Sequence, residues 1–224
     1  MDRSRPLVVI PCHNEAATLG AVVAGAARWA DVLVVDDRST DASAEVARRA
    51  GAEVTPSLSP GYDGALTTGL IAAAAARCVA VVTLDADGEH DPGLIPAFAD
   101  ALAGGAELVC GRRARKNRLA EHGLGLVARA LIGVEDPLCG MKGYSGDLVA
   151  RWRDSGLPLR INMAPMMLSR LQGRPFAQVR VTGDPRPDAP RFGRALRANF
   201  ALLDAFFAAR AEARLWLEHQ GPMA

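Results

Sequence analysis

The sequence has no surplus of either charge and no long apolar run, and each of these absences excludes a class of protein. Its 224 residues include 26 Lys and Arg against 25 Asp and Glu, a formal net charge of +1. Proteins that bind nucleic acid usually carry a basic surplus, so nucleic acid is not an expected partner. The longest mainly apolar run, Leu66–Ala76, is shorter than the roughly 18–20 residues that a membrane-spanning helix needs.

The sequence also lacks paired cysteines and a recognisable export signal. Four cysteines are present, and no two have the spacing typical of a zinc or redox site. They are Cys12, Cys78, Cys110 and Cys139. The start of the chain, Met1–Pro6, leads into only four apolar residues before Pro11, so we expect no signal peptide. Scattered cysteines without an export signal are typical of the reducing cytoplasm, where we expect this protein.

The sequence does contain enough apolar residues, in regularly spaced runs, to form a hydrophobic core. Half of the residues are hydrophobic. Up to residue 111, short β-rich runs alternate with segments of helical periodicity, and Leu7–Ile10, Val32–Val35 and Val79–Leu84 are the clearest strands. Alternation of this kind predicts an α/β fold with a mostly parallel central sheet and helices on both faces.

The pattern becomes less regular after Gly111, and we interpret residues 1–224 as one domain with two halves and a final helix. The first half spans residues 1–111, and the second, 112–191, contains a basic loop, a Gly-rich segment and further helices. Residues 192–219 predict a C-terminal helix, in which Leu203 and Phe207 belong to an apolar stripe. Such a stripe covers either the protein's own core or a membrane surface.

Acidic and amide side chains follow three of the predicted strands, within Cys12–Glu15, Asp36–Asp41 and Asp85–Asp91. The carboxyl ends of parallel strands meet at one edge of a sheet, where ligands bind, so these segments should converge. Asp85 and Asp87 stand out because they follow a buried strand directly. Clustered carboxylates repel one another unless a cation is bound, and hard oxygen ligands suit Mg²⁺ or Mn²⁺.

Two families place Asp-x-Asp after an apolar strand. The segment Val81–Gly88 resembles the opening of the haloacid-dehalogenase-like phosphatases, in which the first Asp is a nucleophile. In this chain Glu89 replaces the Thr of that motif, and the motif follows the fourth predicted strand and not the first. This family is therefore a remote alternative.

Five motifs, in order and at matching spacing, resemble the family-2 glycosyltransferases of GT-A fold. They are Val8–Glu15, Val34–Asp41, Gly61–Gly69, Leu84–Pro92 and Asp136–Lys142. The fourth and fifth, LDADGEHDP and DPLCGMK, resemble in particular those of the dolichyl- and polyprenyl-phosphate sugar transferases, the dolichyl-phosphate mannosyltransferase-like branch. The resemblance implies a metal-dependent enzyme that transfers a sugar from a GDP- or UDP-linked donor with inversion.

The resemblance assigns roles in the first half, which becomes the nucleotide-sugar-binding half. Asp85 and Asp87 would bind the metal ion that bridges the diphosphate, and Glu89 would complete the metal shell. Asp37 would accept a hydrogen bond from the nucleobase. The nucleoside pocket would be lined by Pro11, Asn14 and Glu15, although Asn14 could equally cap the first helix.

The resemblance also assigns phosphate ligands in the second half, which becomes the acceptor side. One of Arg112 and Arg113 would reach a phosphate, because a guanidinium binds phosphate through two parallel hydrogen bonds. Lys142 stands where the family has Arg or Lys and is a further phosphate candidate. Arg191 is carried over from a partial match to a motif near the end of polyprenyl-phosphate transferases.

The acceptor decides whether the enzyme needs a general base. A hydroxyl must lose a proton, and Asp136 is then the candidate base, although it could equally orient the Gly140 loop or bind metal. A lipid phosphate is already ionised and needs positive charge. The resemblance favours polyprenyl phosphate, reached from the inner face of the membrane through peripheral contact. Transfer to a soluble or glycan hydroxyl is the alternative, and a catalytically silent GT-A binding module is another.

Overall fold

The computed structural model describes residues 5–113, 119–181 and 196–220. Seven strands lie in these ranges: β1 (Leu7–Cys12), β2 (Asp31–Asp36), β3 (Glu53–Pro56), β4 (Ala80–Thr83), β5 (Leu108–Arg113), β6 (Lys142–Ser145) and β7 (Phe176–Val181). The helices are α1 (Ala16–Ala27), α2 (Ser43–Arg49), α3 (Tyr62–Ala75), α4 (Ile95–Ala103), α5 (Leu119–Ile132), α6 (Gly146–Ser155), α7 (Ala164–Leu171) and α8 (Leu196–His219). A short 3₁₀ turn, Pro92–Leu94, precedes α4.

The strands form one sheet in the order β3-β2-β1-β4-β6-β5-β7. β6 runs antiparallel to β4 and β5, and the other pairings among the described strands are parallel. The Gly-rich segment that contains β6 did not predict a strand. Its position matters because Lys142, at the start of β6, lies opposite Thr83 at the end of β4 and Cys110 on β5.

Apolar side chains cover both faces of the sheet. Every residue of β1 is buried, and its alternate residues belong to two separate core clusters, with Val9 in one and Val8 and Ile10 in the other. A strand that buries both faces needs helices on both sides, which explains its continuous apolar run. The predicted α/β fold with a mostly parallel, doubly covered sheet is confirmed.

α3 lies unusually close to the centre of the sheet. A Cβ at Gly69 would overlap Cγ1 of Val9 and lie 3.2 Å from Cγ2 of Val35. Only a residue without a side chain lets the helix approach β1 and β2 this closely. The approach brings the start of α3, at Tyr62, to the edge where the parallel strands end.

α8 packs against the protein's own core through a stripe that differs from the predicted one. Phe206, Ala209 and Ala213 are buried, whereas Phe207 is exposed and Leu203 is only partly buried. Within the described residues, no helix combines the length and the apolar character needed to cross a membrane.

We expect Gly69→Ala to lower the free energy of unfolding by about 1–3 kcal/mol, because the added methyl group overpacks the contact with Val9. Urea denaturation measures the change. Gly123→Ala is the matched control: Gly123 lies on the exposed side of α5, and a Cβ there would meet no neighbouring atom within 4 Å. Ala at this position should stabilise by up to about 1 kcal/mol. Equal effects of the two substitutions would contradict the close packing of α3.

Candidate active site

The end of β4 directs two carboxylates towards the open edge of the sheet. Beyond Thr83 the chain stays close to the core, where Leu84 and Ala86 are buried. Asp85 and Asp87 alternate with these two residues and are partly exposed. The alternation explains why the apolar residues anchor the segment while its carboxylates face the solvent side.

Asp87, Glu89 and His90 form a cluster that fits a divalent metal ion. Each offers one ligand atom, and these atoms lie within 4.8 Å of one another. Glu89 N donates to Oδ1 of Asp87 at 2.9 Å across a tight turn in which Gly88 has φ +78°. Asp85 adjoins the cluster, since its Oδ2 lies 4.0 Å from His90 Nδ1. The carboxylate oxygens of this donor set suit Mg²⁺ or Mn²⁺.

His90 is the site residue that the sequence analysis missed. It is 2% exposed, and its Nδ1 has no hydrogen-bond partner among the described residues. Its other ring nitrogen, Nε2, lies 3.5 Å from the sulfur of Cys139. A buried polar atom without a partner is unusual and is consistent with a ligand that binds there. The signal in the sequence was the position of His90 directly after the predicted ligand Glu89.

Two further elements surround the carboxylate of Asp85. The hydroxyl of Tyr62, at the start of α3, donates to its Oδ1 at 3.3 Å. On the other side, a Cβ at position 140 would overlap Oδ2 of Asp85, so the backbone of Gly140 lies against the carboxylate. The carboxylate is therefore held between α3 and the loop that precedes β6.

Asn14 does not cap the first helix in this structure. Its backbone is left-handed, with φ +55°, and its Oδ1 accepts from Thr40 N at 2.8 Å. Asp41 performs the capping instead, because its Oδ2 accepts from Ala16 N at 3.2 Å at the start of α1. Asn14 thus joins the segment after β1 to the segment after β2, on the predicted nucleoside side of the site.

The remaining residues predicted for the nucleoside pocket lie at the same edge. Pro11 is buried within β1, and Glu15 is partly exposed just before α1. Asp37 accepts from Gly61 N at 2.7 Å through Oδ2 and pairs with Arg38 at 2.9 Å through Oδ1. Each carboxylate oxygen has a second lone pair, which is available to a nucleobase N–H.

Asp136 is held by Arg113 in a buried ion pair. Asp136 is 1% exposed. Its Oδ2 accepts from Nε of Arg113 at 2.9 Å and from the backbone N of Arg113 at 3.1 Å. Its Oδ1 accepts from Nη2 of Arg113 at 3.0 Å. Burial disfavours the charged guanidinium, but the bonds and charge of Asp136 outweigh this effect and raise the pKa of Arg113. This geometry leaves little access for an acceptor hydroxyl and disfavours Asp136 as a general base. It favours the alternative in which Asp136 orients its neighbours.

Of the two arginines predicted to reach a phosphate, Arg112 is the more accessible. Its side chain is 47% exposed and pairs with Oε2 of Glu135 at 2.9 Å. Arg113 is mostly buried and also contacts Glu121 at 3.3 Å. Arg191 lies outside the described residues.

The ammonium group of Lys142, a predicted phosphate ligand, lies inside the protein in this structure. Lys142 is fully buried in the sheet, and its Nζ donates to the carbonyl oxygen of Cys139 at 2.7 Å. Burial lowers the pKa of this ammonium group. Lys142 therefore binds the backbone of the loop around Gly140 from the interior of the protein.

Comparisons with known proteins bear on this arrangement. The sequence profile of the family described as Glycosyl transferase family 2 matches residues 7–122. A dolichyl-phosphate hexose transferase of Haloferax volcanii is 31% identical over 176 residues, which cover 71% of this chain and 76% of that protein. An uncharacterised glycosyltransferase of Mycobacterium tuberculosis is 44% identical over 106 residues, 47% of each chain. The matched region thus spans about half the length of the mycobacterial relative.

Solved structures show the same fold. The glucosyl-3-phosphoglycerate synthase of Mycobacterium tuberculosis in complex with phosphoglyceric acid has a TM-score of 0.73 and 22% sequence identity, and the match covers 92% of this chain and 80% of that one. The same enzyme in complex with Mn²⁺ and UDP-glucose also has a TM-score of 0.73, with 23% identity and coverages of 92% and 79%. The predicted GT-A fold is confirmed by this likeness.

We expect Asp136→Asn to lower the free energy of unfolding by about 3–5 kcal/mol, because it removes the main charge partner of the buried Arg113 and leaves it with the 3.3 Å contact to Glu121. Urea denaturation followed by circular dichroism measures the loss. Glu135→Gln, which breaks the neighbouring exposed pair with Arg112, is the control and should change stability by no more than about 1 kcal/mol. A fully stable Asp136→Asn protein would contradict the structural role of the pair.

Proposed function

The chain belongs to glycosyl transferase family 2, and we propose that it transfers a sugar from a nucleotide-diphosphate sugar to polyprenyl phosphate with Mg²⁺ or Mn²⁺ as cofactor. The observation that carries the donor side is the meeting of Asp85, Asp87, Glu89 and His90 at one edge of the sheet. The carboxylates repel one another, and the imidazole of His90 beside them is buried with no hydrogen-bond partner for Nδ1 among the described residues. A bound cation would account for both features.

The metal ligands in this proposal are Asp85, Asp87, Glu89 and His90. A bound divalent ion would offset the negative charge that the departing nucleoside diphosphate develops. The related fold of the mycobacterial synthase has been solved with Mn²⁺ and UDP-glucose and with Mg²⁺ and UDP, which supports the choice of ion and donor class.

Residues 1–111 supply the donor pocket in this proposal. Asp37 accepts from an N–H of the nucleobase with the lone pairs that Gly61 N and Arg38 leave available. Pro11 forms the wall beneath the nucleoside, and Asn14 and Glu15 border it. Both GDP- and UDP-linked sugars present an N–H at the base edge, so both are candidate donors.

Residues 112–191 supply the acceptor side in this proposal. The charged side chains there favour an acceptor with a phosphate group over one with a hydroxyl group. The candidate base Asp136 is engaged by Arg113, whereas the guanidinium of Arg112 is exposed at the end of β5. A lipid phosphate needs no base: one of its oxygens attacks the anomeric carbon, and the nucleoside diphosphate leaves with the electrons of the broken C–O bond. The Haloferax relative, named as a dolichyl-phosphate hexose transferase, supports this acceptor class.

Peripheral contact with the membrane that holds such an acceptor belongs to this proposal. α5 buries Leu124 and Ala128 against the core, whereas Leu126 is 70% exposed. An exposed leucine on a helix of the acceptor side would suit contact with a lipid surface.

We expect Mn²⁺ together with GDP, UDP or their sugars to raise the unfolding temperature of the full chain, by an amount equivalent to about 2.7 kcal/mol at a ligand concentration of 100 times Kd. Asp87→Ala should abolish the metal-dependent part of this shift, because it removes an ion ligand. Differential scanning fluorimetry measures both.

Asp100→Ala is the control for this experiment, since Asp100 is an exposed carboxylate on α4 and should leave the shift intact. If no nucleotide produces a metal-dependent shift, the transferase proposal fails. A shift that survives Asp87→Ala would show that the ion binds elsewhere.

For the acceptor, we expect labelled sugar from the donor to partition into organic solvent as a polyprenyl-linked product. Arg112→Gln should lower kcat/KM for polyprenyl phosphate by about 10–100-fold, because a hydrogen bond to a charged group contributes about 1.5–3 kcal/mol. Arg49→Gln, an exposed arginine on α2, is the control and should have no effect. Label that stays in the aqueous phase with a soluble hydroxyl acceptor would overturn the choice of polyprenyl phosphate.

A further inference from the structure

The turn between α6 and α7 holds three consecutive non-glycine residues in the left-handed region. Arg160, Ile161 and Asn162 have φ angles of +54°, +56° and +58°. This conformation is unfavourable for residues with a Cβ, and most of all for a β-branched residue such as Ile161. Such segments persist where the surroundings over-determine them, and they occur often at functional sites.

Two contacts fix the first part of the turn to other elements. The guanidinium of Arg160 donates from Nε to Oε2 of Glu212 on α8 at 3.2 Å. Ile161 N donates to Oδ2 of Asp63, on the first turn of α3, at 2.9 Å. α3 also carries the tyrosine that contacts Asp85. The turn is therefore anchored next to the candidate active site.

The last residue of the turn, Asn162, inserts its amide beside the end of β4. Asn162 is 1% exposed; its Oδ1 accepts from the hydroxyl of Tyr144 at 2.8 Å, and its Nδ2 donates to Oγ1 of Thr83 at 3.3 Å. Thr83 has one hydroxyl proton, which it donates to the carbonyl oxygen of Gly140 at 2.7 Å. The amide of Asn162 therefore donates to the oxygen of the same hydroxyl whose proton binds the carbonyl oxygen of Gly140.

The hydroxyl of Thr83 connects the strand end before Asp85 to the loop that packs against the Asp85 carboxylate. Thr83 lies two residues before Asp85 on the same strand end, and the backbone of Gly140 lies against Oδ2 of Asp85. The same hydroxyl also accepts from Lys142 N at 3.2 Å. One buried side chain therefore joins the strand that carries Asp85 to the loop that packs against its carboxylate.

We propose that Thr83 and Asn162 are positioning residues that orient Asp85 and the Gly140 loop for the metal ion, and that the left-handed turn serves to deliver the amide of Asn162. The inference rests on the proposed metal-dependent function. Neither residue contacts the ion in this proposal; each acts through Gly140 and Asp85. Removing groups that orient metal ligands typically weakens metal affinity by about 10–100-fold.

The test is the Mn²⁺ dissociation constant of the full chain, measured from the electron paramagnetic resonance signal of free Mn²⁺ at saturating GDP or UDP. Thr83→Val keeps the side-chain shape and removes the hydroxyl, and we expect it to raise the dissociation constant at least about 10-fold. Thr83→Ser retains the hydroxyl and should bind within about twofold of the unsubstituted chain, because the hydrogen bonds remain.

For the turn, Asn162→Gly removes the amide while relieving the left-handed backbone, so a weaker affinity could not be attributed to added strain. We expect it to raise the dissociation constant as Thr83→Val does. Ile161→Gly is the matched control, since it makes the same backbone change one residue earlier without altering a polar contact of the site. Tyr144→Phe, which removes only the donor to Oδ1 of Asn162, is a milder variant that should raise the dissociation constant by less.

Folded Thr83→Val, Asn162→Gly and Tyr144→Phe proteins with unchanged Mn²⁺ dissociation constants would overturn the proposal. An equal loss of affinity in Ile161→Gly and Asn162→Gly would also overturn it, because it would indicate a general loosening of the turn. If the unsubstituted chain bound no Mn²⁺ with either nucleotide, the proposed function itself would fail. Intact binding by that chain together with unaffected variants would contradict this inference alone.

Discussion

Electrostatic repulsion among carboxylates at the end of β4 is the constraint around which the rest of the structure is arranged. Asp87 and Glu89 offer carboxylate oxygens within 4.8 Å of each other, and Asp85 adjoins them through His90, although negative charges at this distance repel one another. Burial of Leu84 and Ala86 prevents this segment from moving away. The stability of the sheet therefore holds in place a group of charges that a cation would stabilise.

The second half of the chain packs against the segment that carries these carboxylates. β6 enters between β4 and β5, which brings the Gly140 loop against Asp85 and buries Lys142 beneath that loop. The pair of Arg113 and Asp136 holds the start of the same loop against the end of β5. The chain beyond residue 111 thus contacts the proposed metal ligand Asp85 as well as containing the proposed acceptor side, so the two predicted halves do not separate cleanly by role.

Several predictions made from the sequence agree with the structure, and the exceptions share a cause. The doubly covered, mostly parallel sheet and the meeting of Asp85, Asp87 and Glu89 follow from apolar runs and from the rule that parallel strands end at one edge. The residue types of Lys142 and Asp136 suit a phosphate ligand and a general base, but both side chains are buried. Lys142 is buried because it begins β6, a short antiparallel strand in a Gly-rich segment that has no distinctive periodicity. Asp136 is buried in its ion pair with Arg113 at the end of β5.

The sequence by itself determined that the chain up to residue 111 builds a mostly parallel sheet and which carboxylates follow its strands, because local apolar pattern dictates burial and strand direction dictates where the ends lie. It did not determine which polar side chains remain accessible. The contacts of Asp136 with Arg113, of His90 with Cys139 and of Asn162 with Thr83 join residues 23, 49 and 79 positions apart. Only the tertiary structure decided these pairings, since each depends on the packing of elements that are distant along the chain.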